Sequence, residues 1–260
     1  MVNQKSNLLA IDLGNTNLAI GLFQTGDLRE HWRLSTDHKR MQDEYGLQFL
    51  SLLNNKGISS DDFSGIVLSS VVPPLTEKVV QACEKYLGHQ PVIVHSGLNL
   101  NVKIAYDDPS AVGADRIADA VATCTLFSCP ACVIDFGTAT TFNAINKNNE
   151  YLGGAILPGI GLSAEALFER TAKLPSIELS APPSVIGTNT RHAMQSGLIY
   201  GYVALVEGMV TRFKQILGEK TTVIATGGHV HLISDHTKVI DHIEPWLTLE
   251  GLRIIWEMNR

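Results

Sequence analysis

The stretch Leu8–Phe23, LLAIDLGNTNLAIGLF, is an apolar run that stops on one carboxylate, Asp12. It turns through Gly14, Asn15 and Thr16 and at once begins a second apolar run. Two short apolar runs joined by small turn residues read as a β-hairpin. The design returns at Cys132–Ile145, CVIDFGTATTFNAI, where Asp135 ends the strand and Gly137 and Thr138 follow. A chain that does this twice reads as two related halves, and the alternation of strands and helices around the hairpins sets the fold class.

Outward from the first hairpin, strands are expected near 8–14, 17–24 and 28–35, then a helix over Asp43–Asn55 and the strand GIVLSSV. A helix over Leu75–Leu87, the strand PVIVHS and a helix opening near Ala114 follow. Apolar residues at three and four spacing (Leu47, Leu50, Leu53; Val79, Cys83, Tyr86) support the first two helices. The second half repeats the start with ACVIDFG, TTFNAIN and YLGGAIL, then a helix over Gly161–Thr171 and a proline-rich crossing. A long helix capped by Asn189 or Thr190 runs to Leu217, and its Gly197, Gly201 and Gly208 would let something pack close. The strand TVIATGG and the C-terminal helix TLEGLRIIWEMN finish the half. The expectation is α/β, with mixed sheets in an N-terminal subdomain, 1–115, and a C-terminal subdomain, 116–260.

At 260 residues, 45% apolar and 18% charged, the chain describes a globular protein with a sizeable core. The net charge of −6, with no basic cluster beyond Lys39 and Arg40, argues against a nucleic-acid partner. Small anionic ligands remain compatible, because backbone dipoles can hold them. No apolar run approaches the roughly eighteen residues of a membrane span, so no membrane partner is expected. The polar start MVNQKSN lacks signal-peptide character. A cytoplasmic protein with four reduced cysteines is the resulting expectation.

Asp12 at a strand end could hold a divalent cation directly or through water, and Gly14 and Thr16 suit close approach of a phosphate. An ordinary turn with a solvated Asp is the alternative, and the second copy at Asp135 and Thr138 favours phosphate handling. In VGADRIADA, Asp115 could accept a hydroxyl proton while Arg116 orients an anionic group. Equally, Asp115 could be a helix cap and Arg116 a solvated side chain. The GIGLSA stretch, Gly159–Ala164, imitates a dinucleotide loop, but Leu157-Pro158 precedes it and no second parallel strand follows. The CPAC stretch, Cys129–Cys132, lacks a second pair for a metal and leads into a strand, so buried small residues are expected. The histidines His229, His231, His236 and His242 show no fixed ligand spacing. No Walker loop occurs.

The ordered series DLGNTN, YDDPSAVGADR, DFGTATT, YLGGAILPGI, LFERTAKLP, GTNTRHAMQSG and ATGG resembles the type III pantothenate kinases. These belong to the superfamily of acetate and sugar kinases, Hsp70 and actin. The resemblance implies two duplicated actin-like (ribonuclease H-like) subdomains with a cleft between them. It implies ATP-dependent phosphorylation of pantothenate, the first step towards coenzyme A. Asp12, Leu13, Gly14, Asn15, Thr16, Asn17, Leu18 and Ala19 would form the first phosphate loop, and Thr138 would also contact ATP. Magnesium would sit on Asp12 through water, and Asp135 would bind a monovalent cation, potassium or ammonium. Tyr106, Gly113, Ala114, Asp115, Arg116 and Thr190 would hold pantothenate, with Asp115 as the base. A homodimer is implied as well. The chain departs at Asn143, where many relatives carry an Asp, and this bears on cation affinity rather than on the reaction.

Overall fold

The computed structural model describes residues 7–59 and 62–260, and the chain divides into two compact units. The first takes the residues up to Asn101, Asp107–Ala122 and Leu247–Arg260; the second takes Val102–Tyr106 and Thr123–Trp246.

In the first unit, β1 (Asn7–Leu13), β2 (Asn17–Gln24) and β3 (Asp27–Ser35) form an antiparallel meander. On the other side of β1, β4 (Phe63–Ser70) and β5 (Val92–Ile93) add in parallel, giving the order β3-β2-β1-β4-β5. Successive side chains of a strand point to opposite faces. Leu9, Ile11 and Leu13 of β1 therefore share a core with Tyr45, Phe49 and Leu53 of α1 (Gln42–Asn54) and Leu75 and Val79 of α2 (Pro73–Ala82). Truncating a side chain as buried as Phe49 to alanine costs about 3–5 kcal/mol. Two local signals start these helices. Glu44 accepts from the Met41 N–H at 2.8 Å, and Pro73 and Pro74 open α2, where a missing N–H is no loss.

Leu8, Ala10 and Asp12 belong to the opposite face of β1. That face receives α7 (Leu247–Asn259), because Gly21 and Gly65 leave room for it. A Cβ on Gly65 would stand 2.5 Å from Trp256 Nε1, and one on Gly21 would stand 3.0 Å from Leu249 Cδ1. Helix α3 (Ala114–Leu126) meets α7 at Gly251, where a Cβ would lie 2.0 Å from the Ala118 carbonyl oxygen. The C-terminal helix thus packs in the first unit, which the division at 115/116 does not describe. Its apolar stripe of Leu249, Leu252 and Ile255 matches a glycine-lined sheet face, and chain order has no bearing on that match.

The second unit repeats the plan. Strands β7 (Ala131–Phe136), β8 (Ala139–Ile145) and β9 (Glu150–Pro158) form the meander, and β10 (Thr222–Thr226) and β11 (His242–Ile243) add in parallel beyond β7. The order β9-β8-β7-β10-β11 matches β3-β2-β1-β4-β5, so the duplication read from the two hairpins is a duplication of topology. An unanticipated strand, β6 (Lys103–Ile104), joins the outer edge of β9 in parallel. Helix α5 (Thr190–Leu217) packs Leu198, Ile199 and Val206 against Cys132, Ile134 and Phe136. Its start is capped as expected, the Asn189 side-chain oxygen accepting from the His192 N–H at 2.9 Å. Helices α4 (Ile160–Glu169) and α6 (Val230–Ser234) complete the unit.

Candidate functional site

Asp12 closes β1 beside two strands, paired in register with Ala19 of β2 and Ser69 of β4. The turn after it is held from within and from a distance. The Gly14 N–H donates to the Asn17 carbonyl at 3.0 Å. Thr36, just beyond β3, donates its hydroxyl to the Gly14 carbonyl at 2.7 Å and its N–H to the Thr16 carbonyl at 2.9 Å. Asn15, Thr16 and Asn17 are left exposed, whereas Leu13 and Leu18 are buried in the core. The leucines can therefore offer a ligand only their backbone. Gly14 spends its N–H inside the turn, so its role is to be small. Thr36 had no sequence signal; it reaches the turn from a segment 22 residues away.

The base candidate lies near the same carboxyl end of β1 and β4. The Val71 N–H, just past β4, donates to the Leu13 carbonyl at 3.1 Å. A Cβ on Gly113 would stand 3.4 Å from Val71 Cγ1. Gly113 in turn lies under Asp115, in the first turn of α3, whose Oδ1 accepts from the Arg116 N–H at 2.7 Å. Burial pushes the Asp115 carboxyl above its ordinary value, and the Arg116 N–H and guanidinium oppose that rise. Arg116 is itself 9% exposed, which removes the reading of it as a solvated side chain.

In the second unit, Asp135 holds the equivalent place at the end of β7, paired with Thr141 of β8 and Thr226 of β10. Gly227, at φ +96°, presses its backbone against the acid, and a Cβ there would lie 2.3 Å from Asp135 Oδ1. The following turn is braced by the Gly159 N–H, which donates to the Thr138 carbonyl at 3.0 Å, and Thr138 stays exposed. A Cβ on Gly159 would meet that carbonyl at 2.3 Å. Gly159 of the GIGLSA stretch thus supports this turn, Gly161 lies within α4, and no dinucleotide loop is formed. Asn143 is fully buried; it accepts from the Tyr151 hydroxyl at 3.1 Å and donates to the Thr141 hydroxyl at 3.1 Å. Its polar atoms are thereby used on the strand beside Asp135.

Tyr106 is 39% exposed and lies over Gly153, where φ is +110° and a Cβ would come within 2.9 Å of its ring. Thr190 is exposed at the first position of α5, and the backbone of Gly187 lies against Ala193 in the same turn. Among the described residues, no group of three or more His, Cys, Asp or Glu could hold a metal. The His229 backbone N–H donates to the Phe136 carbonyl at 3.2 Å, and the rings of His236 and His242 pack against Tyr200 and Phe127. Among the described residues, no helix is long and apolar enough to cross a membrane.

The family model described as type III pantothenate kinase matches residues 8–212, and the chain belongs to that family of kinases. Similar solved structures share the fold at low identity. A conserved protein of Campylobacter jejuni assigned to the Baf family of transcriptional activators is 21% identical, with TM-score 0.60, over 96% of this chain and 97% of that one. Component A of the (R)-2-hydroxyglutaryl-CoA dehydratase of Acidaminococcus fermentans is 12% identical, with TM-score 0.56, over 96% of both chains. The inorganic polyphosphate/ATP-glucomannokinase of Arthrobacter sp. strain KM is 13% identical, with TM-score 0.51, over 97% of this chain and 98% of that one.

Proposed function

We propose that this kinase transfers the γ-phosphoryl group of ATP to the primary hydroxyl of pantothenate, giving 4'-phosphopantothenate on the way to coenzyme A. The observation that carries the reading lies within the first unit. The Asp12 turn and the Asp115 carboxylate stand near the carboxyl ends of β1 and β4, with Leu13, Val71 and Gly113 between them. A phosphate-holding turn beside a base suits phosphoryl transfer to an alcohol, where catalysis is mostly positioning and charge neutralisation.

The proposed roles are these. Asn15, Thr16 and Asn17 face solvent and offer donors to phosphate oxygens, and Thr36 keeps their turn in shape. Asp115 Oδ1 is engaged by the Arg116 N–H, which leaves Oδ2 to receive the hydroxyl proton. Arg116 orients the pantothenate carboxylate, with Gly113 and Ala114 beside it in the first unit. One carboxylate at a strand end fits magnesium, which keeps several waters and would be held by Asp12 through them. Magnesium, when bound, neutralises phosphate charge. The carboxylate of Asp135, with the Gly227 backbone pressed on it, fits a monovalent cation, and Thr138 would contact ATP. We read the enzyme as a homodimer, with the exposed Gly197 and Gly201 stripe of α5 as its interface.

A non-catalytic accessory role in transcription would leave Asp115 and the GTATT turn without a task, and both are intact. The deciding measurement is phosphate transfer from ATP to pantothenate in potassium buffer, with a hexose as the competing acceptor. Transfer to pantothenate is expected. Transfer to the hexose alone, or ATP binding with no transfer, would overturn the assignment.

A further inference from the structure

Two cysteines that no role above absorbs approach each other at the end of α3. Cys124 lies in the last turn of that helix and Cys129 in the short connection to β7, and their sulfurs are 3.8 Å apart. Both are partly exposed, whereas Cys83 and Cys132 are fully buried. The CPAC spelling directs attention to Cys129 and Cys132, but Cys132 points into the core with Ile134 and Phe136. The partner of Cys129 is Cys124.

We propose that Cys124 and Cys129 form a reversible disulfide, making this connection a thiol-oxidation site. A disulfide requires the sulfurs at about 2.05 Å, so they must approach by a little under 2 Å. Ser128 and Cys129 lie outside both α3 and β7, and movement there can close the gap. The two sulfurs are also unequal. Either sulfur can donate to the other, and this contact holds the Cys129 thiol below its ordinary value and pushes that of Cys124 up. Cys129 is therefore the attacking thiolate. Burial pushes Cys83 and Cys132 up to about 12, so they remain thiols.

The oxidant is a low-molecular-weight disulfide such as oxidised glutathione. The Cys129 thiolate attacks one of its sulfurs, breaks the S–S bond and releases one glutathione thiolate. Cys124 then loses its proton to water and attacks the Cys129 sulfur, expelling the second glutathione thiolate. The protein loses two electrons and two protons, and the oxidant becomes two molecules of reduced glutathione.

The test uses the full reduced chain in glutathione buffers of rising oxidised fraction, followed by denaturing alkylation and intact mass. Two of the four thiols should disappear with no glutathione retained, leaving the chain two hydrogens lighter. The Cys132→Ser variant should still lose two thiols. The Cys124→Ser variant should stop at a single glutathione adduct on Cys129. A Cys132→Ser chain that keeps all three thiols, or a Cys124→Ser chain that still forms an internal disulfide, would overturn the proposal.

Discussion

The space that a side chain at Gly113 would fill is occupied by Asp115: a Cβ there would stand 2.5 Å from Asp115 Oδ1. Glycine at 113 is thus a condition for where the carboxylate sits. Gly113→Ala must push that carboxylate aside, and a displacement near 1 Å at a reacting group costs on the order of 10²-fold in rate. Turnover should fall by about that factor while the KM for ATP holds. Unchanged turnover in steady-state assays would show that the carboxylate position is unimportant.

Asp115→Asn should lower turnover by about 10² to 10⁴, the range for loss of a general base. It should also stabilise the chain at neutral pH, which separates it from a folding defect. Burial raises the folded carboxyl above its ordinary 3.8, so the folded state binds the proton more tightly than the unfolded state. Stability is then lost as pH rises from that ordinary value through the folded one. The asparagine has no charge to bury. Its melting temperature should exceed that of the parent at pH 7, with the gap closing towards pH 4. A lower melting temperature at pH 7 would contradict the burial argument.

Asp12→Asn keeps the size of the turn acid and removes its charge. The half-saturating magnesium concentration for activity should rise several-fold, because magnesium held through waters depends on that carboxylate. Superimposable magnesium titrations would reduce Asp12 to a turn residue.

How far these residues could be read beforehand differs by type. The hairpins were legible because Asp12 and Asp135 end apolar runs that local alternation and turn chemistry define. The place of α7 was not, since its apolar stripe says that it is buried but not on which sheet. Gly21 and Gly65, which admit Leu249 and Trp256, read only as weak strand residues. Strands β6 and β11 have two residues each, too few for any periodicity to show, whereas β5 lies inside the expected strand PVIVHS. Asp115 and Arg116 were candidates from their helix start. Their burial is a tertiary fact with no local signal.

Gly227→Ala tests the second acid without replacing it. The φ of +96° disfavours any side chain, and a Cβ would press on Asp135 Oδ1 at 2.3 Å. Strain of roughly 1–2 kcal/mol is expected from the left-handed backbone alone. If Asp135 holds potassium, the half-saturating potassium concentration should rise several-fold, and sodium should replace potassium poorly in the parent. Equal activity of the parent in potassium, ammonium and sodium would remove the cation from Asp135.

The dimer can be tested at α5 without harming the protomer. Gly197 and Gly201 are exposed, and a Cβ at either would meet nothing within 4 Å. Leucine there should not clash within the chain. Replacing glycine inside a helix should even stabilise the protomer, by up to about 1 kcal/mol per site. If two copies pack their α5 helices across these glycines, the double variant Gly197→Leu, Gly201→Leu must hold the backbones apart. Light scattering should then show the dimer mass falling to the protomer mass while the melting transition persists. Activity should drop with it if each pantothenate pocket is closed by the partner subunit. A parent that is already a monomer, or a variant that stays dimeric at the same concentration, would place the interface elsewhere or nowhere.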